Sequence, residues 1–426
     1  MNAAAAARGY KMATAVEKIF SAKAGRPVKA GDIVVVEVDA CMIHDVNGPT
    51  AVKNFAQIAK TVKSPAHHLI VLDHFAPCPN AAAGNNHLLL RRFAKEHGIR
   101  LVDVCKGVCH QKMLESGKVR PGGIAVGTDS HSCTYGALNA FSTGVGAAEA
   151  AVIFACDQCW FKVPPTIRVE FAGKLPRKIL GKDLALELLR ILGEAGASYQ
   201  CVEFGGEAVA DISFDSRATL CNMMIEAGAK GAIMPCDEVA RRWLAAYGVT
   251  GEAGVEPDGD AEYSRRITID VSQMRPLVAV PPHIDHAVAA EELEKVRVDQ
   301  VVIGSCTNGR YEDIALAAEI LRGKRVADGV RLLVYPASPE VEAALKAGGH
   351  LDALTSAGAS VFPPSCGPCA GIHGGLLGDG EVAVSTTNRN LNGRMGSKDA
   401  RIYIASPLVA ACSALCGFIT DREVLG

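Results

Sequence analysis

The chain has 426 residues, of which 49% are hydrophobic and 21% charged, with 44 Lys+Arg against 46 Asp+Glu and a net charge of −2. That length exceeds what one core supports, so two or three domains are expected. The near-neutral balance argues against a general nucleic-acid or membrane-surface binder, which would carry a basic excess.

Met1–Lys11 is an alanine-rich preface with no long apolar core, so it does not read as a secretory signal and is expected to be loose; Thr14–Lys23 reads as the first helix. Short β-branched runs then alternate with helical patterns, the signature of parallel α/β layers. Strands are predicted over Asp32–Asp39, His68–Asp73 and Gly123–Gly127, the last running into Thr128-Asp129-Ser130-His131. Helices are predicted around Asn86–His97, Ala147–Cys156 and Lys182–Gly193. The most apolar long stretch, Ala137–Cys156, is interrupted by Ser142, Thr143, Gly144, Gly146 and Glu149, which makes it a buried glycine-rich turn plus helix and a poor membrane span. A middle segment opens near Pro164-Pro165 with a strand at Thr166–Phe171 and holds a helical stretch at Thr219–Ala227. Met274–His286, with Pro276, Pro281 and Pro282, reads as a linker. Beyond it, strands are predicted at Asp299–Ile303, Arg331–Tyr335 and Glu381–Ser385. Helices are predicted at Glu312–Leu321, from Ser338-Pro339 to Lys346, and at Pro407–Phe418. The predicted division is an α/β domain over 1–163, a second over 164–273, a linker over 274–286 and a third domain over 287–426.

In open α/β sheets, ligands bind beyond the carboxyl ends of the strands. Asp73-His74, Asp129-Ser130-His131, Ser305-Cys306-Thr307-Asn308 and Asn388-Arg389-Asn390 fall at such ends, so one cleft fed by several strands is expected.

The 15 cysteines, dispersed in a long chain without a signal peptide, read as reduced thiols in a cytoplasmic protein. Cys366-Gly367-Pro368-Cys369 can present two thiolates to one metal, and Cys306, from another strand-end loop, can supply a third. Spacing alone leaves rivals open. Cys156/Cys159 is another C-x-x-C pair, Cys105/Cys109 and Cys412/Cys416 have helical spacing, and C-G-P-C also suits a redox disulfide.

With these motifs in hand, the chain resembles the aconitase superfamily, and within it the large subunits of the 3-isopropylmalate dehydratase and homoaconitase type. The resemblance runs from about Met12 to the C-terminus. It rests on Gly127-Thr128-Asp129-Ser130-His131-Ser132-Cys133-Thr134, Gly304-Ser305-Cys306-Thr307-Asn308, Cys366-Gly367-Pro368-Cys369 and Thr387-Asn388-Arg389-Asn390-Leu391-Asn392-Gly393-Arg394. It implies three α/β/α domains around a cleft, and a [4Fe–4S] cluster on Cys306, Cys366 and Cys369 with one iron lacking a protein ligand. The C-terminal swivel domain of single-chain relatives is not expected here. A small partner subunit would supply it, together with the catalytic base. The implied reaction dehydrates or isomerises a 2-hydroxy di- or tricarboxylic acid. Leucine biosynthesis is the default setting, and homoaconitase or a dimethylmalate- or citramalate-type dehydratase the alternatives.

By the same resemblance, Asp73 and His74, His110, Asp129 and His131, and Glu203 near the cluster are expected to be catalytic. Arg389, Arg394, Asn388, Ser130 and Asn308 are expected to bind substrate, with His44-Asp45 lining the cleft. An electron carrier would want four cysteine ligands and no carboxylate-binding arginines. An RNA-binding regulator is disfavoured by the balanced charge, and a zinc enzyme on the same thiolates is separable by metal analysis. Neither nucleic acid nor membrane is an expected partner.

Overall fold

Three parallel sheets, each wound in the same order, organise the chain. The structure is a computed structural model that describes residues 12–293 and 295–422; the alanine-rich preface Met1–Lys11 lies outside the described residues. In the first sheet the spatial order is Arg100–Val102, His68–Val71, Ala40–His44, Ile124–Gly127, Phe141–Gly144, all parallel. Counted along the chain, that is 3-2-1-4-5. The second sheet, Gly231–Ile233, Cys201–Gly205, Thr166–Ala172, Arg265–Asp270, is wound 3-2-1-4. The parallel part of the third, Ser360–Val361, Arg331–Tyr335, Gln300–Gly304, Val382–Ser385, Arg401–Ala405, repeats 3-2-1-4-5. No short sequence repeat announces this; the likeness lies in topology.

The central strands are buried along their whole length: Ala40–His44, His68–Val71, Ile124–Gly127, Gln300–Gly304 and Val382–Ser385. Helices cover both faces of such sheets, which is why the strands read as continuous apolar runs without alternation. Local signals set the helix starts. Thr14 forms a capping box with Glu17 ahead of helix Ala15–Ala24. Ser338 Oγ accepts the Val341 N–H at the start of helix Pro339–Ala347.

Two expectations need correction. The predicted strand Asp32–Asp39 exists as Ile33–Glu37, but outside the main sheet: it pairs antiparallel with Gln158–Lys162 in a two-stranded ribbon. Its alternating exposure is the mark of a half-solvated strand. The strand that enters the first sheet is the next one, Ala40–His44. The predicted linker is also partly sheet. Leu277–Ala279 pairs antiparallel with Ala287–Ala289 and with Arg401–Ala405, and Asp183 Oδ1 accepts the Leu277 N–H at 3.0 Å. Within the apolar stretch Ala137–Cys156, strand Phe141–Gly144 precedes the expected helix Ala147–Cys156.

The segment that follows the fourth strand of the first sheet touches the second sheet where it matters for the cleft. A Cβ on Gly136 would lie 1.6 Å from the Ala232 carbonyl oxygen, so the 3-10 segment Ser130–Leu138 sits directly on strand Gly231–Ile233. Only glycine permits that approach. Among the described residues, no helix is long and apolar enough to cross a membrane.

Candidate active site

A 3-2-1-4-5 sheet has a topological switch point between the first and fourth strands, where the following loops part and leave a crevice. In the first sheet, Ala40–His44 delivers His44-Asp45 there and Ile124–Gly127 delivers Thr128-Asp129. In the third, Gln300–Gly304 delivers Ser305-Cys306 and Val382–Ser385 delivers Asn388. Both crevices open into one cleft of about 620 Å³. Its lining includes His44, His74, His110, Asp129, Ser130, His131, Cys306, Cys366, Cys369, Asn388, Arg389 and Arg394.

The three thiols form one wall. Cys306 follows a sharp turn: Gly304 has φ +143° and Ser305 φ +66°, and a Cβ on Gly304 would meet the Tyr335 carbonyl oxygen at 2.3 Å. The turn is pinned from several sides. Gly304 N donates to Thr386 Oγ1 at 3.0 Å, Thr307 Oγ1 donates to the Thr386 carbonyl at 2.7 Å, and buried Arg310 holds the Cys306 and Thr307 carbonyls at 2.9 and 2.6 Å. Lys182, fully buried, donates to the carbonyls of Thr386 and Thr387 at 3.0 and 2.9 Å and so fixes the loop that carries Asn388. Cys366 immediately precedes the 3-10 turn Gly367–Ala370, and Cys369 lies within it. The thiols of Cys306 and Cys369 each lie 3.6 Å from Asn388 Oδ1, and Cys306 and Cys366 pack together with Val108. Cys366 Sγ is 3.5 Å from Asp73 Oδ2.

Burial, reinforced by the charge of Cys369, pushes the Cys306 thiol up to about 11. Burial likewise raises Cys366, with Asp73 adding to it. Cys369 differs: burial opposes its ionisation, but Arg394 and His131 bring it below the ordinary thiol value. Three soft sulfur donors lining one cleft, two of them at the same amide oxygen, suit an iron–sulfur centre bound through thiolates. Among the described residues no fourth cysteine lines the cleft.

Around the thiols are three acid–histidine pairs. Asp73 Oδ1 meets His74 Nδ1 at 2.8 Å, while its Oδ2 accepts the Cys109 N–H at 2.7 Å. Burial disfavours a charge on His74, but Asp73 and then Asp129 outweigh it and hold the imidazole well above its ordinary value. Asp129 Oδ1 meets His110 Nε2 at 2.8 Å and also accepts the His131 N–H at 2.8 Å. Despite burial, its histidine neighbours keep the Asp129 carboxyl well below the usual range. Glu226 Oε1 meets His131 Nε2 at 2.8 Å. His44 packs at a tilt against His74, with ring centroids 4.5 Å apart, and points Nε2 at the Thr128 carbonyl, 3.1 Å away.

Glu226 was not a candidate in the sequence. It sits in the 3-10 turn Met224–Ala227, which continues helix Phe214–Met223, with nothing local to distinguish it from an exposed helical glutamate. Glu203, the carboxylate expected near the cluster, is elsewhere. It is buried between Arg168 NH1 at 2.9 Å, Tyr263 OH at 2.6 Å and the Ala15 N–H at 3.0 Å, where it ties the first helix to the second sheet. Asn308 is also displaced from its expected place. It is buried beneath the Cys306 turn, donating to Asp313 Oδ1 at 2.8 Å, and does not line the cleft. Ser130 lies at the rim, 3.4 Å from Arg389 NH2. Arg394 also faces the cleft, and its Nε is buried without a hydrogen-bond partner.

A family profile described as "Aconitase family (aconitate hydratase)" matches residues 17–295 and 287–417. The chain belongs to the aconitase family. It is 46% identical over 410 residues to a protein named 3-isopropylmalate dehydratase large subunit 1 from Methanopyrus kandleri, covering 96% of this chain and 98% of that one. It is 46% identical over 417 residues to a homoaconitase large subunit from Thermus thermophilus, covering 97% and 98%. A Thermotoga maritima protein named 3-isopropylmalate dehydratase large subunit 1 is 44% identical over 412 residues, covering 96% and 98%. The aconitase family binds iron–sulfur clusters, and the thiol wall fits that chemistry.

Proposed function

We propose that this chain is the large, iron–sulfur-carrying subunit of a hydro-lyase that dehydrates and isomerises a 2-hydroxy dicarboxylic acid, with 3-isopropylmalate as the substrate. The observation that carries the reading is one cleft that brings together three thiols, three acid–histidine pairs and two arginines. A [4Fe–4S] cluster on Cys306, Cys366 and Cys369 would keep one iron free of protein ligands and supply a Lewis acid for the substrate hydroxyl.

The chain's own groups meet the remaining needs. Arg394 receives a substrate carboxylate, for which a planar guanidinium offers two parallel N–H donors, while Arg389 beside it is held by Glu226. His74, fixed through Nδ1 by Asp73, keeps Nε2 toward the cleft with a proton to give to the departing hydroxyl. Asp129 with His110, and Glu226 with His131, hold and orient the water that is lost and regained. The base that takes the C–H proton is assigned to the small subunit. The 15 cysteines, none of them in a disulfide among the described residues, suit the reducing cytoplasm.

A second reading, homoaconitase, is supported by the Thermus relative, as identical to this chain as the Methanopyrus one. The test is an anaerobic assay of the chain with its small subunit on 3-isopropylmalate and on homoaconitate. Turnover of the first supports the main reading, and turnover of the second alone transfers it to the other. Failure of both by a cluster-loaded complex refutes the hydro-lyase assignment to these substrates.

A further inference from the structure

Behind the loop that carries His74 lies a second constellation that the chemistry above does not use. Cys78 Sγ is 3.0 Å from His87 Nδ1, and His87 Nε2 is 2.9 Å from Asp45 Oδ2. His87 and Asp45 are both fully buried, whereas Cys78 is exposed. A nucleophile in reach of a base, and the base oriented by a carboxylate, is the arrangement that activates thiols. Asp45 Oδ2 accepts the His87 Nε2–H, which leaves the Nδ1 lone pair facing the Cys78 thiol. Partial desolvation raises that thiol above its ordinary value, against the pull of Arg91, so at rest the proton stays on sulfur with its acceptor already in place. Cys78 also stands two residues ahead of Asn80, the cap of helix Ala81–His97, whose free N–H groups favour negative charge as it develops.

We propose that Cys78, His87 and Asp45 form a reactive-thiol site that takes up a low-molecular-weight disulfide, and that the adduct is felt at His74. In the exchange, Cys78 Sγ attacks one sulfur of the reagent while His87 Nδ1 takes the thiol proton. A new S–S bond forms to Cys78 and the reagent's own S–S bond breaks. The departing thiolate recovers the proton from His87, so Cys78 is oxidised and the departing half is reduced. The link to the cleft is the same carboxylate. Asp45 Oδ1 accepts the His74 N–H at 3.1 Å and Oδ2 the Phe75 N–H at 2.9 Å, so a group attached at Cys78 that shifts His87 loosens the backbone of His74.

The experiment treats the complex with its small subunit, under anaerobic conditions, with glutathione disulfide, and follows adducts peptide by peptide by mass spectrometry. Cys78 should react at least about tenfold faster than Cys156 in the same sample, and His87→Gln should remove that advantage. The ratio in the native protein decides the first half even if the His87 variant fails to fold. Equal rates for Cys78 and Cys156, or an unchanged ratio in a folded His87→Gln protein, overturn the site. For the coupling, which rests on the hydro-lyase reading, turnover should fall as the Cys78 adduct forms and return with dithiothreitol. Cys78→Ser should keep basal turnover and lose the sensitivity. An adduct without loss of turnover, or equal loss in Cys78→Ser, overturns the coupling alone.

Discussion

Glu226 accepts the Arg389 Nε–H through both carboxylate oxygens, at 2.8 and 2.9 Å, while its Oε1 also meets His131 Nε2 at 2.8 Å. Arg389 is therefore already neutralised by a protein carboxylate, and the role expected of two equivalent arginines divides. Arg394, whose buried Nε has no partner, is the one left with an unmet demand for an acceptor.

Arg394→Lys should then reduce kcat/KM by about 10- to 100-fold, chiefly through KM, as expected when a charge-assisted hydrogen bond of about 1.5–3 kcal/mol is lost. Steady-state kinetics of Arg394→Lys beside Arg389→Lys check the division. A large KM effect at Arg389 and none at Arg394 would reverse it.

Glu226→Gln keeps the shape of the pair but removes the charge that orients His131 and Arg389. By analogy with other groups that orient active-site ligands, a loss of roughly 10- to 100-fold in kcat is expected, with the fold intact by circular dichroism. Wild-type kcat in this variant would mean that the third acid–histidine pair is only structural.

Why Glu226 escaped the sequence reading is physical. Its partner His131 is 95 positions away, and a glutamate on a helical run looks the same whether it faces solvent or a cleft. The glycine- and proline-bounded motifs were legible because their backbones are unusual: Gly304 and Ser305 both have positive φ at the Cys306 turn. Strand Ala40–His44 was passed over for Ile33–Glu37 because Val34-Val35-Val36 advertises itself, while Ala-Cys-Met-Ile-His, buried on both faces, shows neither alternation nor β-branched density. Asn308 shares a motif with Cys306, yet the short helix Ser305–Asn308 turns it away from the cleft. The common 3-2-1-4 winding was invisible, since strand order is set by crossovers and not by local pattern.

The Cys306 turn depends on Gly304. Adding a methyl group there places it 2.3 Å from the Tyr335 carbonyl oxygen at φ +143°. Gly304→Ala should cost about 1–3 kcal/mol or more, read as a lower thermal midpoint and lower iron content after reconstitution. An unchanged midpoint and full iron would show that the turn relaxes freely.

Acid sensitivity is predicted at His68, the first residue of strand His68–Val71. Burial against Phe154, partly offset by Asp157, lowers its imidazole to about 4. The unfolded chain takes up this proton near pH 6.5 and the folded one only near 4, so stability is complete above the higher value and lost as pH falls through the window, by on the order of 3 kcal/mol. Urea unfolding at pH 7.5 and 5 should show a smaller pH-dependent loss in His68→Gln than in the unaltered protein. Equal losses would remove His68 from the account.

The central claim is that Cys306, Cys366 and Cys369 together hold one iron–sulfur cluster with an iron that no residue of the chain binds. The direct measurement is iron and sulfide content after anaerobic reconstitution, with electron paramagnetic resonance before and after mild oxidation. The account predicts a three-iron signal that appears on oxidation, disappears when Fe²⁺ is restored, and is absent from Cys366→Ser. A cluster that forms and behaves identically in Cys366→Ser, or zinc in place of iron, would contradict it.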